Sequence, residues 1–239
     1  MSINISASLI RDYLECRSKI FYRINYPETS ISNKEMILGS IVHSSIEKYW
    51  GLIPAAGWYA IDEVKKRFGE DKESEKFVLD CIHVFFKNFR QYLSSIDDKT
   101  ELKFKIPFSD GVYIVGKIDR ITKDGLVFDW KTNRRTPKSI NNDPQFILYH
   151  WAYSKLYNKT PVAVYYASLT DGSLLMLDIK KEFYGHLFDE IIPAIVQDIK
   201  SHNLPKTGIF TGDCFRCPYK ETCLQGDSHE LDFTNSIEG

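Results

Sequence analysis

A chain of 239 residues, 43% apolar and 26% charged, can bury a core without staples, as one large domain or two small ones. Its formal net charge of −1 excludes a global attraction to polyanions, so a nucleic acid would have to meet a local basic patch or metal offsetting carboxylates. No apolar run approaches the roughly 18 residues of a membrane span, and "MSINISASLIRDYLEC" lacks a secretion signal's basic-then-apolar design, so the expectation is a cytoplasmic protein with no membrane partner.

Ser6 is placed to cap a helix through "ASLIRDYLECRSKIFYR", with Leu9, Tyr13, Cys16 and Ile20 near one stripe. "YPETSISN" breaks it. "KEMILGSIVHSSIEKYW" predicts a second helix, ended by Gly51 and Pro54. Two more fall near residues 58–68 and from 73 to about 93, the latter carrying Cys81 on an apolar stretch where a free thiol is a core residue. The period then changes. "ELKFKIPF" alternates, with Leu102, Phe104, Ile106 and Phe108 on one face of a half-buried strand. "GVYIVGKIDRI" and "LVFDWKT" read as strands joined by "TKDG", "PQFILYHWAYSKLY" as a helix, and "PVAVYYASL" and "SLLMLDI" as strands joined by "TDG". A last helix covers about 182–201, and 226–239 reads as a loose polar tail. The fold class is α/β: one domain over 1–239, a central mixed β-sheet flanked by helices.

In "VFDWKTN", Asp129 and Lys131 share one strand face, while Phe128 and Trp130 point to the other. A two-residue turn before this strand would set Arg120 opposite Asp129. A three-residue turn would set Asp119 opposite Asp129, and Gly125 at its third position favours that register. Two facing carboxylates repel unless a cation bridges them. A hard divalent ion such as Mg²⁺ takes oxygen ligands and leaves room for a phosphate and a water, with Lys131 beside it to stabilise charge. Without further elements, a solvated Asp/Lys face with no metal would be the better explanation of these residues.

The pattern continues with "GKID" ending at Asp119 and "DWK" at 129–131, "GSIVH" upstream at 39–43 and "QFILY" downstream at 145–149. This ordered set resembles the PD-(D/E)xK nuclease superfamily, specifically its RecB-like exonuclease branch. The chain departs from the pattern in having Ile118 before the first acid and Asp rather than Glu as the second. The resemblance implies a restriction-endonuclease-like sheet and a Mg²⁺ or Mn²⁺ site held by His43, Asp119, Asp129 and the Trp130 backbone carbonyl. Lys131 would assist hydrolysis, and Glu47, one turn beyond His43, would be a weaker ligand or a partner behind the ligands. Gln145 and Tyr149 share a helix face and would line the DNA groove.

Near the C-terminus "CFRCPYKETC" spaces Cys214, Cys217 and Cys223 as C-x2-C-x5-C, an incomplete tetrahedral set that Cys16 can complete. Four thiolates suit a [4Fe-4S] cluster or structural Zn²⁺. The distribution is similar to that of iron–sulfur RecB-like nucleases, including CRISPR-associated four-cysteine exonucleases, and this favours the cluster. It would staple residues 1–30 to 204–225.

Cations and aromatics cluster twice. Arg17 and Arg23 stand with Tyr22 in "CRSKIFYRINY", and Arg134 and Arg135 follow the acidic strand; both mixtures suit a single DNA strand. No G-x-x-x-x-G-K-[ST] occurs, which argues against a helicase subunit. The expectation is a metal-dependent deoxyribonuclease, a single-strand-preferring exonuclease acting in DNA processing, CRISPR adaptation or recombination, with other proteins of those processes as partners and the oligomeric state open. The alternative is a nucleic-acid-binding adaptor that keeps the fold without the chemistry.

Overall fold

The computed structural model describes residues 2–26, 33–93 and 98–225. The tail expected at 226–239 and most of the break at "YPETSISN" lie outside them. The elements run β1 (Ile3–Ile5), α1 (Ala7–Glu15), α2 (Ser18–Asn25), α3 (Lys34–Tyr49), α4 (Ile53–Phe68) and α5 (Lys72–Val84). A π-helical turn (Phe85–Phe89) and a 3-10 turn (Arg90–Tyr92) extend α5. Next come β2 (Lys99–Ser109), β3 (Val112–Ile121), β4 (Leu126–Lys131), α6 (Pro144–Tyr157), β5 (Ala163–Ser168) and β6 (Leu174–Met176). The chain continues through α7 (Lys181–Gly185), a π-helical turn (His186–Ile191), α8 (Ile192–Lys200), α9 (Gly208–Thr211), a 3-10 turn (Asp213–Arg216) and α10 (Lys220–Gln225). The fold is mixed α/β, and its residues form two compact units, one of residues 1–31, 104–116 and 179–239, the other of 32–103 and 117–178.

In the first unit β1 pairs in parallel with the start of β3, Ile3 opposite Val112. Ser6 caps α1 by accepting from the Leu9 N–H at 3.2 Å. The single long helix expected here is instead broken. Cys16 is extended (φ −161, ψ 119), while the Arg17 and Ser18 N–H groups donate to Thr207 Oγ1 and the Pro205 carbonyl. Tertiary donors and acceptors outweigh the helical propensity of the segment. The helix expected at 182–201 forms with a π-helical turn immediately before α8, whose first turn holds Pro193. A proline lacks the N–H that a regular helix needs there, and the wider turn accommodates it.

In the second unit β3 pairs antiparallel with β4, β4 parallel with β5, and β5 antiparallel with β6. The parallel step is the crossover through α6. Phe128 and Trp130 stack 5.2 Å apart, with Phe85 and Phe89 against Trp130 and the apolar faces of α3, α4 and α5 completing the core. Cys81 is buried there, as expected, and burial pushes its thiol up to about 12. On the opposite face Phe146 of α6 packs against Tyr166. Two boundaries differ from expectation. Helix α4 starts at Ile53 because Pro54 initiates it rather than ending α3. The helix from α5 changes pitch after Val84, which keeps both Phe85 and Phe89 buried.

Arg120, on the core side of β3, is buried and reaches Asp98 at 2.7 Å. Its guanidinium lies 5.0 Å from the Trp50 ring, and Asp98 also accepts from the Lys123 N–H at 3.0 Å. Arg120→Met leaves that carboxylate buried without its counter-charge and is expected to cost about 3–5 kcal/mol in urea unfolding. A loss below about 1 kcal/mol would mean that Asp98 is solvated in the folded protein.

Candidate active site

The hairpin between β3 and β4 fixes the acidic face. Thr122 N–H donates to the Leu126 carbonyl at 2.9 Å, and Gly125 has φ +87, the left-handed conformation the three-residue loop needs. Arg120 stands opposite Phe128, and one more step along this register sets Asp119 opposite Asp129, as the loop chemistry predicts. At that step Asp119 Oδ2 accepts the Trp130 N–H at 2.9 Å.

His43 reaches the same point from α3. An added Cβ on Gly39 would come within 2.9 Å of Thr132 Oγ1, so glycine lets the helix approach the end of β4 without displacing the Thr132 side chain. One turn later His43 Nδ1 lies 3.5 Å from Asp119 Oδ2. Sequence reading missed the third group here, Glu101 of β2. Its backbone has φ +49, a left-handed conformation that strains a non-glycine residue and recurs at functional sites. Ligand atoms of His43, Glu101 and Asp119 all lie within 4.8 Å of one another. Strand alternation puts Glu101 on the polar side of β2, but the backbone inversion that gathers it to His43 has no signature in "TELKF". Glu101 also pairs with the Lys117 ammonium.

Asp129 is 2% exposed. Its Oδ1 accepts from Gln145 Nε2 at 2.8 Å and lies 3.2 Å from the Tyr149 hydroxyl, which donates to the Lys117 carbonyl at 2.6 Å. Its Oδ2 lies 2.8 Å from Lys131 Nζ without a well-directed hydrogen bond. Lys131 Nζ donates to Gln145 Oε1 at 3.1 Å. Asp143 caps α6 and thereby fixes the turn that presents Gln145.

Burial raises the Asp129 carboxyl above the ordinary range; Lys131 opposes the shift and the Asp119 charge adds to it. Burial acts the same way on Asp119, but His43 and the Trp130 N–H outweigh it and hold that carboxyl below the range. Burial pushes His43 down, and the neighbouring carboxylates, Asp119 foremost, leave it raised overall. Tyr149 is driven well above its usual value by burial and by the two aspartates.

His43, Glu101, Lys117 and Lys131 line a cleft of about 850 Å³. Asp119 and Glu47 line a small cavity that also touches His43 and Glu101. An imidazole with several carboxylate oxygens is a donor set for a hard or borderline divalent ion, and the undirected Oδ2 of Asp129 leaves further coordinating capacity. These residues therefore fit such an ion. Arg134 is on the cleft wall with an 81% exposed side chain, and Arg135 is exposed.

The first unit holds the other predicted residues. Cys16, Cys214, Cys217 and Cys223 line one small cavity with Lys19, Tyr22 and Tyr219. Cys16 is buried; desolvation would raise its thiol, but hydrogen bonds from Ser18, Gly208 and Thr207 bring it lower. Cys217 is raised by burial. Tyr22, expected to stack on bases, is instead 8% exposed with its ring stacked on Tyr219. Arg17 pairs with Asp198 at 3.0 Å and Arg23 with Asp12 at 2.6 Å.

No described helix is long and apolar enough to cross a membrane. No curated protein matches the chain. Among solved structures, the protein SSO0001 is similar with a TM-score of 0.53 and 17% identity, covering 93% of this chain and 87% of that one. A protein from Eubacterium rectale, named as a "putative exonuclease", is similar with a TM-score of 0.60 and 16% identity, covering 98% and 94%. At such identities the likeness speaks to the fold. Residues 4–224 match the PD-(D/E)XK nuclease superfamily, nearly the whole sequence and both hairpin aspartates, and the chain belongs to that superfamily.

Proposed function

We propose that the chain is a divalent-metal-dependent deoxyribonuclease, a RecB-like exonuclease that prefers single-stranded ends and acts in DNA processing, CRISPR adaptation or recombination. The observation that carries this reading is the convergence of ligand atoms of His43, Glu101 and Asp119, with His43, Glu101 and Lys131 on the wall of one cleft and Asp129 paired with Lys131. The name of the Eubacterium rectale protein supports exonuclease action.

His43, Asp119, Asp129 and the Trp130 carbonyl would hold Mg²⁺ or Mn²⁺, with Glu101 as the added ligand and Glu47 behind them. The chemistry a bound ion supplies is stabilisation of charge on the scissile phosphate and activation of water. The protein's part is positioning. Gln145 holds both Asp129 and Lys131, and Tyr149 anchors the Lys117 backbone, so the ammonium of Lys131 stays on the cleft side of the acids. Arg134 and Arg135 are the DNA-contact candidates on this unit; Arg17 and Arg23 keep exposed surface despite their ion pairs.

We assign the four thiols to a [4Fe-4S] cluster rather than Zn²⁺. All four thiols line one cavity, and their one-plus-three distribution is similar to that of the iron–sulfur RecB-like nucleases. Hydrogen-bond donors to Cys16 suit a thiolate ligand.

Wild type and Asp129→Ala, purified without oxygen, should be compared on end-labelled single-stranded DNA with Mn²⁺ or EDTA. Metal-dependent degradation, lowered at least about a hundredfold in the variant, is expected; a wild type that binds DNA yet cuts no substrate would favour the adaptor. Calorimetric Mn²⁺ affinity should weaken as pH falls from 8 to 6, since His43 holds its proton above the ordinary value and must release it to ligate, and a flat profile would remove His43 from the ligands. The same preparation should absorb near about 400 nm and carry about four irons per chain, with both lost in Cys217→Ser; stoichiometric zinc instead would reject the cluster.

A further inference from the structure

Four cations line the cleft, and each stands near a carboxylate. Lys34 pairs with Asp71 at 2.6 Å and lies 5.6 Å from the centre of the Phe68 ring. Lys131 is held by Asp129 and Gln145, and Arg134 stands 3.8 Å from Glu35. Lys117 pairs with Glu101, and the same carboxylate stands with His43 and Asp119. Lys117 precedes Asp119 by two residues on β3, and Lys131 follows Asp129 by two on β4. The two strands thus carry Lys-x-Asp and Asp-x-Lys in mirrored order on one face, each lysine about 6.6 Å along its strand from its aspartate. The Tyr149 hydroxyl fixes the backbone of Lys117 by donating to its carbonyl.

The geometry points to Lys117 as a phosphate-binding residue for a nucleic-acid strand in this cleft, its ammonium held on Glu101 until the strand arrives. This rests on the nuclease reading above. A lysine whose only need is a surface counter-charge requires no strained partner, yet Glu101 is held at φ +49. When Glu101 is drawn toward His43 and Asp119, Lys117 loses its counter-charge at the cleft wall, and a phosphate oxygen replaces it. Lys117 then works beside Lys131, both at the same end of the paired aspartates in the register that sets Arg120 opposite Phe128, to seat the backbone of the strand.

The test measures binding of a short single-stranded oligonucleotide by fluorescence anisotropy across a KCl series, with Ca²⁺ present, for wild type, Lys117→Met and Lys117→Arg. Lys117→Met should weaken binding by about three- to tenfold and lower the slope of log K against log salt by about 0.7, the value for one phosphate contact to a single strand. Lys117→Arg should restore the slope. With Mn²⁺ the loss in Lys117→Met should fall on KM more than on kcat. Circular dichroism of each variant across the same KCl series fixes the folded fraction, and the slope is compared where that fraction is constant. A wild-type slope in Lys117→Met, or a loss confined to kcat, overturns the proposal. A wild type that binds no strand overturns the nuclease reading itself and this inference with it.

Discussion

The facing carboxylates of Asp119 and Asp129 are the constraint around which the second unit is organised. Two buried acids on adjacent strands repel, and folding must either neutralise or compensate them. The structure does both. Asp119 is compensated by the Trp130 N–H and by His43, whereas Asp129 is surrounded by Gln145, Tyr149 and Lys131 and is pushed toward its neutral form by burial. The same hydrogen bonds that make the acids tolerable also aim them. The N–H of Trp130 comes from the residue whose ring fills the aromatic core, so the position of Asp119 is coupled to packing on the other side of the sheet.

Much of this was legible in the sequence because strand periodicity and turn chemistry are local. Gly125 in its loop decides the register of two strands, and that register decides which residues face Asp129. The pairing of Gln145 with Tyr149 follows from helical spacing once Asp143 and Pro144 mark the start of α6. Gly39 was legible as part of a motif, but its reason was not: the close approach to Thr132 is a contact between distant segments.

What escaped the sequence depends on tertiary competition. The first helix is interrupted at Cys16 because groups nearly two hundred residues away offer better partners than the next helical turn would. Tyr22 carries the composition of a base-stacking residue, yet Tyr219 claims its ring. Glu101 sits where alternation leaves only a solvated strand side chain, and a single inverted residue changes its neighbours. In each case the local pattern is compatible with two outcomes, and partners remote in the chain choose between them.

The discontinuous make-up of the first unit has a consequence for the order of events during synthesis. The second unit is drawn from residues 32–178 with one short excursion, so its hairpin, crossover and helices can assemble while the ribosome is still translating. The first unit draws on both ends of the chain, and the cavity that Cys16 shares with Cys214, Cys217 and Cys223 cannot close until the last of these has emerged. Until then Cys16 is an unpartnered thiol on a nascent chain. Interruption of translation late in the message would therefore release a product with the acidic hairpin assembled and the thiol cavity unmade.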